Sequence, residues 1–212
     1  MRPLTILIAL VAATPALAVD HGVDVNLGGL NNGDPMYEGL TGDRGMFTYG
    51  ASGIVRLHEY VGVVGSYNHT RRGGGDAPRT AYFSDQFGLG VKGDYAIKEW
   101  LRPTLSAQFL LYRGVAKLDA DASSRTNPGQ VRVSGLAPGG QFLGGVELRI
   151  PQADRPLTVA FTAEAGYTIV AKHTYSDPKV VGLEDSVTLE GVDVGDMAVS
   201  GFTFRGGIGL RF

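Results

Sequence analysis

The sequence has no cysteine and no apolar run long enough to cross a bilayer as a helix. The first absence excludes disulfide bonds, thiolate metal sites and a cysteine nucleophile. The most apolar stretch, Leu4–Ala13, is followed by Pro15 and falls well short of the roughly 20 residues of a transmembrane helix. A basic excess is also missing, because 19 Lys and Arg residues stand against 21 Asp and Glu residues. That balance excludes the basic surface expected of a nucleic-acid-binding protein. Because no apolar run is long enough for a transmembrane helix, insertion into a membrane has to be by strands.

The first residues have the three parts of a secretory signal peptide. Met1-Arg2 is a short cationic start, Leu4–Ala13 is the apolar region, and Ala16-Leu17-Ala18 is a small-residue cleavage site. We therefore expect residues 1–18 to be removed and residues 19–212 to form one domain.

The last stretch of the chain alternates apolar and polar side chains with a period of two, which predicts a β-strand. Its apolar face runs to the final residue, and the opposite face carries Arg205 and Arg211. The apolar face consists of Phe202, Phe204, Ile208, Leu210 and Phe212. An apolar face that continues to a terminal aromatic residue is typical of an outer-membrane barrel strand. The alternative interpretation is the edge strand of a soluble sandwich.

Seven further alternating segments precede this strand. The eight predicted strands cover residues 22–29, 46–57, 60–70, 80–97, 100–116, 141–150, 157–171 and 201–212. Their connections are alternately long and short, the long ones being 31–44, 71–78, 119–136 and 174–196. This rhythm predicts an all-β fold, an eight-stranded antiparallel up-and-down transmembrane β-barrel with both termini at the end of the short turns.

The two faces of these strands favour a membrane barrel over a soluble one. A lipocalin-type soluble barrel also has eight strands, but its interior is filled by apolar side chains. Here Phe109 and Phe161 lie at strand centres on one face, while the other face carries charges from nearly every strand. Three aromatic residues stand beside the predicted short turns, as expected for a membrane-interface girdle: Tyr60, Tyr95 and Trp100.

The end of the chain also resembles a known signal. Arg205-x-Gly207-x-x-Leu210-x-Phe212 is similar to the terminal sequence that the bacterial barrel-assembly machinery recognises on its substrates. In strand number and terminal signal, the mature chain resembles the small eight-stranded outer-membrane barrels of the OmpA, OmpX and OmpW kind. The resemblance implies a location in the Gram-negative outer membrane. It also implies contact with outer-membrane lipid and lipopolysaccharide, passage through the assembly machinery, and a monomeric state.

The inward face carries charges of both signs, and we expect them to lie in the lumen. The cations are Arg56, Lys92, Arg102, Arg149, Arg205 and Arg211, and the carboxylates are Asp24, Asp94, Glu147 and Glu164. The structural interpretation is an ion-pair network that fills a narrow barrel, because eight strands leave room for little more than side chains. The functional interpretation is the selectivity lining of a narrow conduit. Inward glycines keep the second open by leaving room for water: Gly50, Gly88, Gly90, Gly145, Gly166, Gly207 and Gly209.

Signals for catalysis are weak. Some small outer-membrane barrels modify lipid A, but none of His21, His58, His69 and His173 has a nearby nucleophile in the sequence. Metal-ligand spacings and hydrolase motifs are absent, so we predict no catalytic site, no cofactor and no metal.

Two loops carry charged residues with two possible interpretations, a bound ligand or simple contact with solvent. Arg71, Arg72 and Arg79 stand where lipopolysaccharide phosphates would meet them. The last loop carries acidic residues that would suit divalent cations: Asp177, Glu184, Asp185, Glu190, Asp193 and Asp196. The hypothesis for the whole chain is a structural or surface-interaction protein. The first alternative is a narrow channel for small or apolar solutes, and the second is a lipid A-modifying enzyme.

Overall fold

The computed structural model describes residues 21–73, 80–119, 130–150, 157–181, 186–188 and 193–212. The predicted signal peptide, Arg79 and the acidic residues Glu184, Asp185 and Glu190 lie outside the described residues. The side chains of Arg72, Asp177 and Asp193 lie outside them as well.

Strands dominate the described chain. Eleven strands and one short helix follow one another as β1 (Gly22–Asn32), α1 (Pro35–Thr41), β2 (Gly45–His58), β3 (Val61–Gly73), β4 (Thr80–Asp94), β5 (Leu101–Asp119), β6 (Gln130–Ile150), β7 (Thr158–Val170), β8 (His173–Val181), β9 (Ser186–Thr188), β10 (Asp193–Met197) and β11 (Gly201–Arg211).

Eight of these strands close into a ring. Each of β1 to β6 pairs antiparallel with the next strand, and β11 pairs with both β7 and β1, which closes the ring. The first and last strands match over their whole lengths, from Gly22 opposite Arg211 to Asn32 opposite Gly201. Closure leaves no free edge among the eight strands, so all their backbone groups can pair within the barrel. The predicted eight-stranded antiparallel barrel is therefore confirmed.

The barrel is apolar outside and polar inside. Leu89, Leu105 and Phe109 are more than 60% exposed on the outer wall, whereas Gln108 and Glu147 are less than 5% exposed in the interior. A soluble protein has the opposite arrangement, and a barrel in lipid has this one. The apolar face predicted from the alternation is the outer wall.

The two ends of the barrel differ. One end, called the short-turn end, holds His21, Phe212, the connections after β2 and β4, and the last residues of β6 beside the first residues of β7. Tyr60 and Tyr95 stack there with ring centroids 5.8 Å apart, and Lys98 Nζ lies 5.5 Å from the Trp100 ring centroid. The opposite end, called the long-loop end, holds α1 and the strands β8 to β10.

The sequence analysis was wrong about the length of β6. This strand begins at Gln130, not at residue 141, so the predicted loop 119–136 contains strand. The segment Pro138-Gly-Gly has the composition of a strand breaker. Pro138 lies one residue beyond the last pair of the β6–β7 ladder, Gly139 opposite Val170, and its carbonyl accepts from Ala171 N–H at 2.9 Å. Proline has no N–H to donate, so it is tolerated here, where the regular ladder has ended.

Two predicted loops also contain regular structure. Residues 31–44 contain α1, and residues 174–196 contain most of β8, β9 and β10. Sequence alternation did not indicate β8 because it pairs only with the extension of β6, over Gln130–Ser134, and with β9 and β10. It lies outside the eight-strand ring.

Candidate functional site: the filled lumen

Asp94 is the centre of the first ion cluster in the lumen. Its two carboxylate oxygens accept from Arg56 of β2 and from Arg102 Nη1, the latter at 3.1 Å. Both Asp94 and Arg56 are buried. Register places all three inward at the short-turn end, where β4 ends and β5 begins.

Glu164 on β7 is the centre of the second cluster. Lys92 Nζ lies 2.8 Å from Glu164 Oε1, and Arg205 Nε lies 2.5 Å from Oε2. Thr104 Oγ1 donates to the same carboxylate at 3.5 Å. Four strands, β4, β5, β7 and β11, thus meet on one carboxylate inside the barrel.

Glu147 on β6 is the centre of the third cluster. It accepts from Arg149 Nε at 2.8 Å and from Arg211 Nη2 at 2.6 Å. The same Arg211 nitrogen reaches Asp24 of β1 at 2.8 Å. Each of the three central carboxylates, Asp94, Glu147 and Glu164, therefore holds two cations.

The structure thus brings together every lumen charge named from the sequence. Six cations and four carboxylates form these clusters, an excess of two positive charges. Burial of so many charges is tolerated only with such pairing. The cavity beside Glu164, Lys92 and Arg205 has about 10 Å³, room for at most about one water molecule.

The expectation that inward glycines leave room for water is not met at Gly88 and Gly209. A Cβ at Gly88 would lie 2.4 Å from both Gln108 Oε1 and Ser66 Oγ. At Gly209 it would lie 2.0 Å from Asp24 Oδ1. Neighbouring side chains fill the space that the glycines leave.

A second layer closes the lumen at the long-loop end, and α1 is its lid. Asp34 caps this helix by accepting from Met36 N at 2.8 Å, Pro35 fits the first turn, and Gly42 ends the helix with φ 72°. The apolar side of α1 places Tyr37 inside, fully buried, with its ring 5.3 Å from that of Tyr82 and nearly perpendicular to it.

The lid is fastened to the segment between β10 and β11. Asp34 Oδ2 accepts from Ala198 N at 2.8 Å, and Gly33 N donates to Ser200 O at 3.0 Å. Asn32 Oδ1 accepts from Ser200 N at 3.3 Å. Beneath them lies a buried apolar cluster that includes Leu30, Tyr37, Met46, Tyr82, Tyr112, Ala116, Val133, Ala137, Val170, Tyr175, Met197 and Val199.

Hydroxyl groups in this cluster form a chain that ends on His173. Tyr112 and Tyr82 hydroxyls are 2.6 Å apart, Tyr82 and Tyr175 hydroxyls 3.2 Å apart, and Tyr175 OH lies 2.9 Å from His173 Nε2. His173 Nδ1 lies 3.3 Å from the Ala171 carbonyl, which only accepts. Nδ1 therefore carries the proton and Nε2 accepts from Tyr175. Burial lowers the pKa of His173 below its ordinary value, against the opposing effect of the Ala171 hydrogen bond.

Sequence analysis missed this second layer. Tyr82 and Tyr112 have the inward parity of the neighbouring Ser84 and Gln108, a signal that was available in the alternation. Glycine at 114 would have supported it, because a Cβ there would lie 2.2 Å from the Tyr175 hydroxyl. No local signal indicated Tyr37 or Tyr175, because Tyr37 lies on α1 and Tyr175 on β8, and both elements lie outside the eight-strand ring.

The residues of the terminal motif have distinct places in the wall. Arg205 faces inward onto Glu164, whereas Leu210 and Phe212 face outward and are each 38% exposed. A Cβ at Gly207 would lie 2.8 Å from Thr162 Oγ1. The backbone of Phe212 pairs with His21 in both directions, at 2.8 and 3.0 Å.

The remaining candidate residues do not form a chemical site among the described residues. His58 and His69 lie on different parts of the outer wall, and His69 Nδ1 is 2.9 Å from Asp85. Asp196 binds Lys172 at 3.0 Å and Thr174 at 2.6 Å. Where the chain is described, no three His, Asp or Glu side chains are grouped as metal ligands. In the same residues no helix is long and apolar enough to cross a membrane.

Comparison with solved structures identifies the fold. The chain is similar to Neisserial surface protein A (NspA), with a TM-score of 0.51 and 15% identity over 90% of this chain and 95% of that one. The chain has the fold of the small eight-stranded outer-membrane barrels. Ail, the attachment invasion locus protein of Yersinia pestis, gives a TM-score of 0.48 at 15% identity, covering 91% of this chain and 98% of that one. The outer-membrane protease OmpT from Escherichia coli gives 0.41 at 12% identity, with 91% and 96% covered.

This likeness shows the fold of the barrel and not its activity, because the identities are so low. No protein-family model matches the chain, and none of the curated proteins is similar to it. The function has to be argued from the side chains of the barrel itself.

Proposed function

We propose that this barrel is a closed, non-catalytic protein of the Gram-negative outer membrane, with a structural or surface-interaction role. The observation that carries the proposal is the ion network of the lumen. Each of its three central carboxylates binds two cations from different positions on the wall. A permeating solute would have to break buried ion pairs, which is costly because the charges have little water to replace their partners.

The lid gives independent support. Even if the ion clusters rearranged, the layer formed by Tyr37, Tyr82 and Tyr112 would still block the path at the long-loop end.

The rest of the proposal concerns targeting. Residues 1–18 act as a cleaved signal peptide, and Arg205, Gly207, Leu210 and Phe212 act as the signal for the barrel-assembly machinery. The mature barrel is a monomer, and its long-loop end faces the outside of the cell, where lipopolysaccharide surrounds it.

Single-channel recording in planar bilayers tests closure. The wild-type barrel should carry no steady current. Glu164→Ala leaves Lys92 and Arg205 without their carboxylate and should allow a small conductance. Thr162→Ala, which lines the same small cavity without changing charge, is the matched control and should stay closed.

A large and stable wild-type conductance would instead support the narrow channel. The two excess positive charges of the network make anion selectivity the expected property of such a channel. Reversal potentials in a salt gradient measure that selectivity directly.

A further inference from the structure

The outer wall of the barrel changes from apolar to cationic towards the long-loop end, over strands β3 to β6. On β5 the outward series Leu105, Phe109 and Leu111 continues as Arg113 and Lys117. Neighbouring strands add further exposed cations at the same end: Arg71, Arg132 and Lys179. The cationic patch is defined by these residues, Arg71, Arg113, Lys117, Arg132 and Lys179.

Strand register places three of these cations side by side. Lys117 of β5 lies opposite Arg132 of β6, and Arg132 lies opposite Lys179 of β8. Side chains directly opposite on one face are about 5 Å apart at Cβ, and like charges in such pairs are destabilising. Among the described side chains, no carboxylate lies within ion-pair distance of these three. The row therefore has an electrostatic cost that an anion would remove.

Aromatic and apolar side chains shape the patch into a pocket. Arg71 Cζ and Lys117 Nζ lie 5.5 and 5.0 Å from the Phe83 ring centroid, so one ring contacts two cations. Val115, only 6% exposed, lies between Arg113 and Lys117 on the same strand. The open pocket has about 240 Å³ and its lining includes one carboxylate, Asp85. Tyr67 and His69 engage that carboxylate at 2.7 and 2.9 Å.

The position of the patch decides between a soluble anion and a lipid. It faces away from the lumen, and the next outward row of the wall towards the short-turn end is apolar and exposed, with Phe87 opposite Leu111. A ligand at this boundary needs phosphate groups for the cations and acyl chains for the wall below them. We propose that the cationic patch is a binding site for the phosphorylated glucosamine headgroup of lipid A in the outer leaflet. The proposal rests on the outer-membrane location proposed above.

Purified barrel in detergent micelles tests the site by native mass spectrometry. The probes are bis-phosphorylated lipid A and the same lipid A without its phosphates. The wild type should retain the phosphorylated lipid roughly tenfold or more tightly than the dephosphorylated one, and salt should weaken the difference. The variant Lys117→Gln/Arg132→Gln/Lys179→Gln should lose this preference. Arg44→Gln/Lys98→Gln/Lys172→Gln removes the same charge elsewhere and should keep it.

Thermal unfolding without lipid distinguishes a binding site from a structural role, because the two predict opposite changes in melting temperature. Removal of a row of like charges should leave the melting temperature of the triple variant equal or higher, whereas cations with a purely structural role would lower it. If the triple variant does not refold, Arg132→Gln alone removes the central charge of the row. It should partly lose the preference for phosphorylated over dephosphorylated lipid A.

Three results would overturn the proposal. They are equal retention of both lipids by the wild type, unchanged retention by the triple variant, and displacement of lipid A by inorganic phosphate where sodium chloride of equal ionic strength has no effect. The last result would indicate a site for free anions. The conductance of protein without lipid A does not depend on this site. An open pore would therefore refute the closed lumen without contradicting the lipid A site.

Discussion

Arg211, one residue from the end of the sequence, binds Glu147 across the lumen with two nitrogens, Nε at 3.2 Å and Nη2 at 2.6 Å. These residues belong to β11 and β6, which are not neighbours in the ring because β7 lies between them. Arg211 also reaches Asp24 on β1. A single side chain therefore connects three strands at the short-turn end, on both sides of the seam where the barrel closes.

The first prediction concerns this connection. Glu147→Gln should lower the free energy of unfolding by about 3 to 5 kcal/mol, because it removes the buried carboxylate that two buried cations, Arg149 and Arg211, share. Asp24→Asn should cost clearly less, because Arg211 keeps Glu147. Urea unfolding in lipid vesicles measures both. Equal costs would show that the doubly bound carboxylate has no special importance.

A second prediction concerns the lid. Asp34→Ala removes the cap of α1 and the acceptor of the Ala198 N–H. The free energy needed to open the lid should therefore fall by at least about 1 kcal/mol. Hydrogen exchange at the Tyr37 and Ala198 amides should become faster. Glu38→Ala, which breaks only the exposed pair with Arg44 on the same helix, is the control and should change little. Unchanged exchange in Asp34→Ala would mean that apolar packing alone holds the lid.

A third prediction follows from the lowered pKa of His173. Below its ordinary pKa near 6.5, the histidine of the opened segment takes up a proton that the closed segment resists. Closure therefore weakens as the pH falls from about 6.5 towards the lower pKa of the folded state, and it is strongest above this window. Hydrogen exchange of β8 against pH should show this loss, and His173→Gln should flatten the profile. A wild-type profile that is already flat would contradict the burial of the neutral ring.

The fourth prediction tests the lipid-facing wall. Phe109→Arg places a charge at the middle of the apolar belt and should cost about 2 to 4 kcal/mol, whereas Leu57→Arg beside a short turn should cost about 0 to 1 kcal/mol. Gln108, the inward neighbour, is no control for charge, because it is buried and bonded to Ser66 at 2.6 Å. If refolding in lipid gave similar costs for Phe109→Arg and Leu57→Arg, Phe109 would not lie at the middle of the bilayer.

The fifth prediction concerns assembly. The backbone of Phe212 pairs with His21 whatever side chain it carries, so Phe212→Asp changes the proposed signal without removing ladder hydrogen bonds. The variant should accumulate in the periplasm. Phe202→Asp places the same charge on the same face at the other end of β11 and should assemble at near wild-type level. Normal amounts of Phe212→Asp in the outer membrane would remove the assembly role of the terminal residue.

Alternation along single strands was a dependable guide because it is a property of the extended backbone. The faces predicted for β2 to β5, with residues such as Phe87 and Phe109 outside and Arg56 and Lys92 inside, are those of the structure. The predicted start of β6 was wrong because proline and glycine indicate a break locally. Only the tertiary structure shows that Pro138 lies just beyond the β6–β7 ladder, which ends at Gly139 opposite Val170.

The sequence by itself therefore determined that this chain is an eight-stranded barrel with an apolar wall and a charged lumen, since period-two alternation fixes which side chains share a face. Only the tertiary structure decided which charges meet. The pairing of Arg211 with Glu147, the fastening of Asp34 to Ala198, and the row of Lys117, Arg132 and Lys179 all join segments that are distant in the chain. These contacts depend on the register between strands, which turn geometry fixes together with the hydrophobic pattern, and on the path of the connections. Alternation within one strand does not by itself determine which residues of different strands meet.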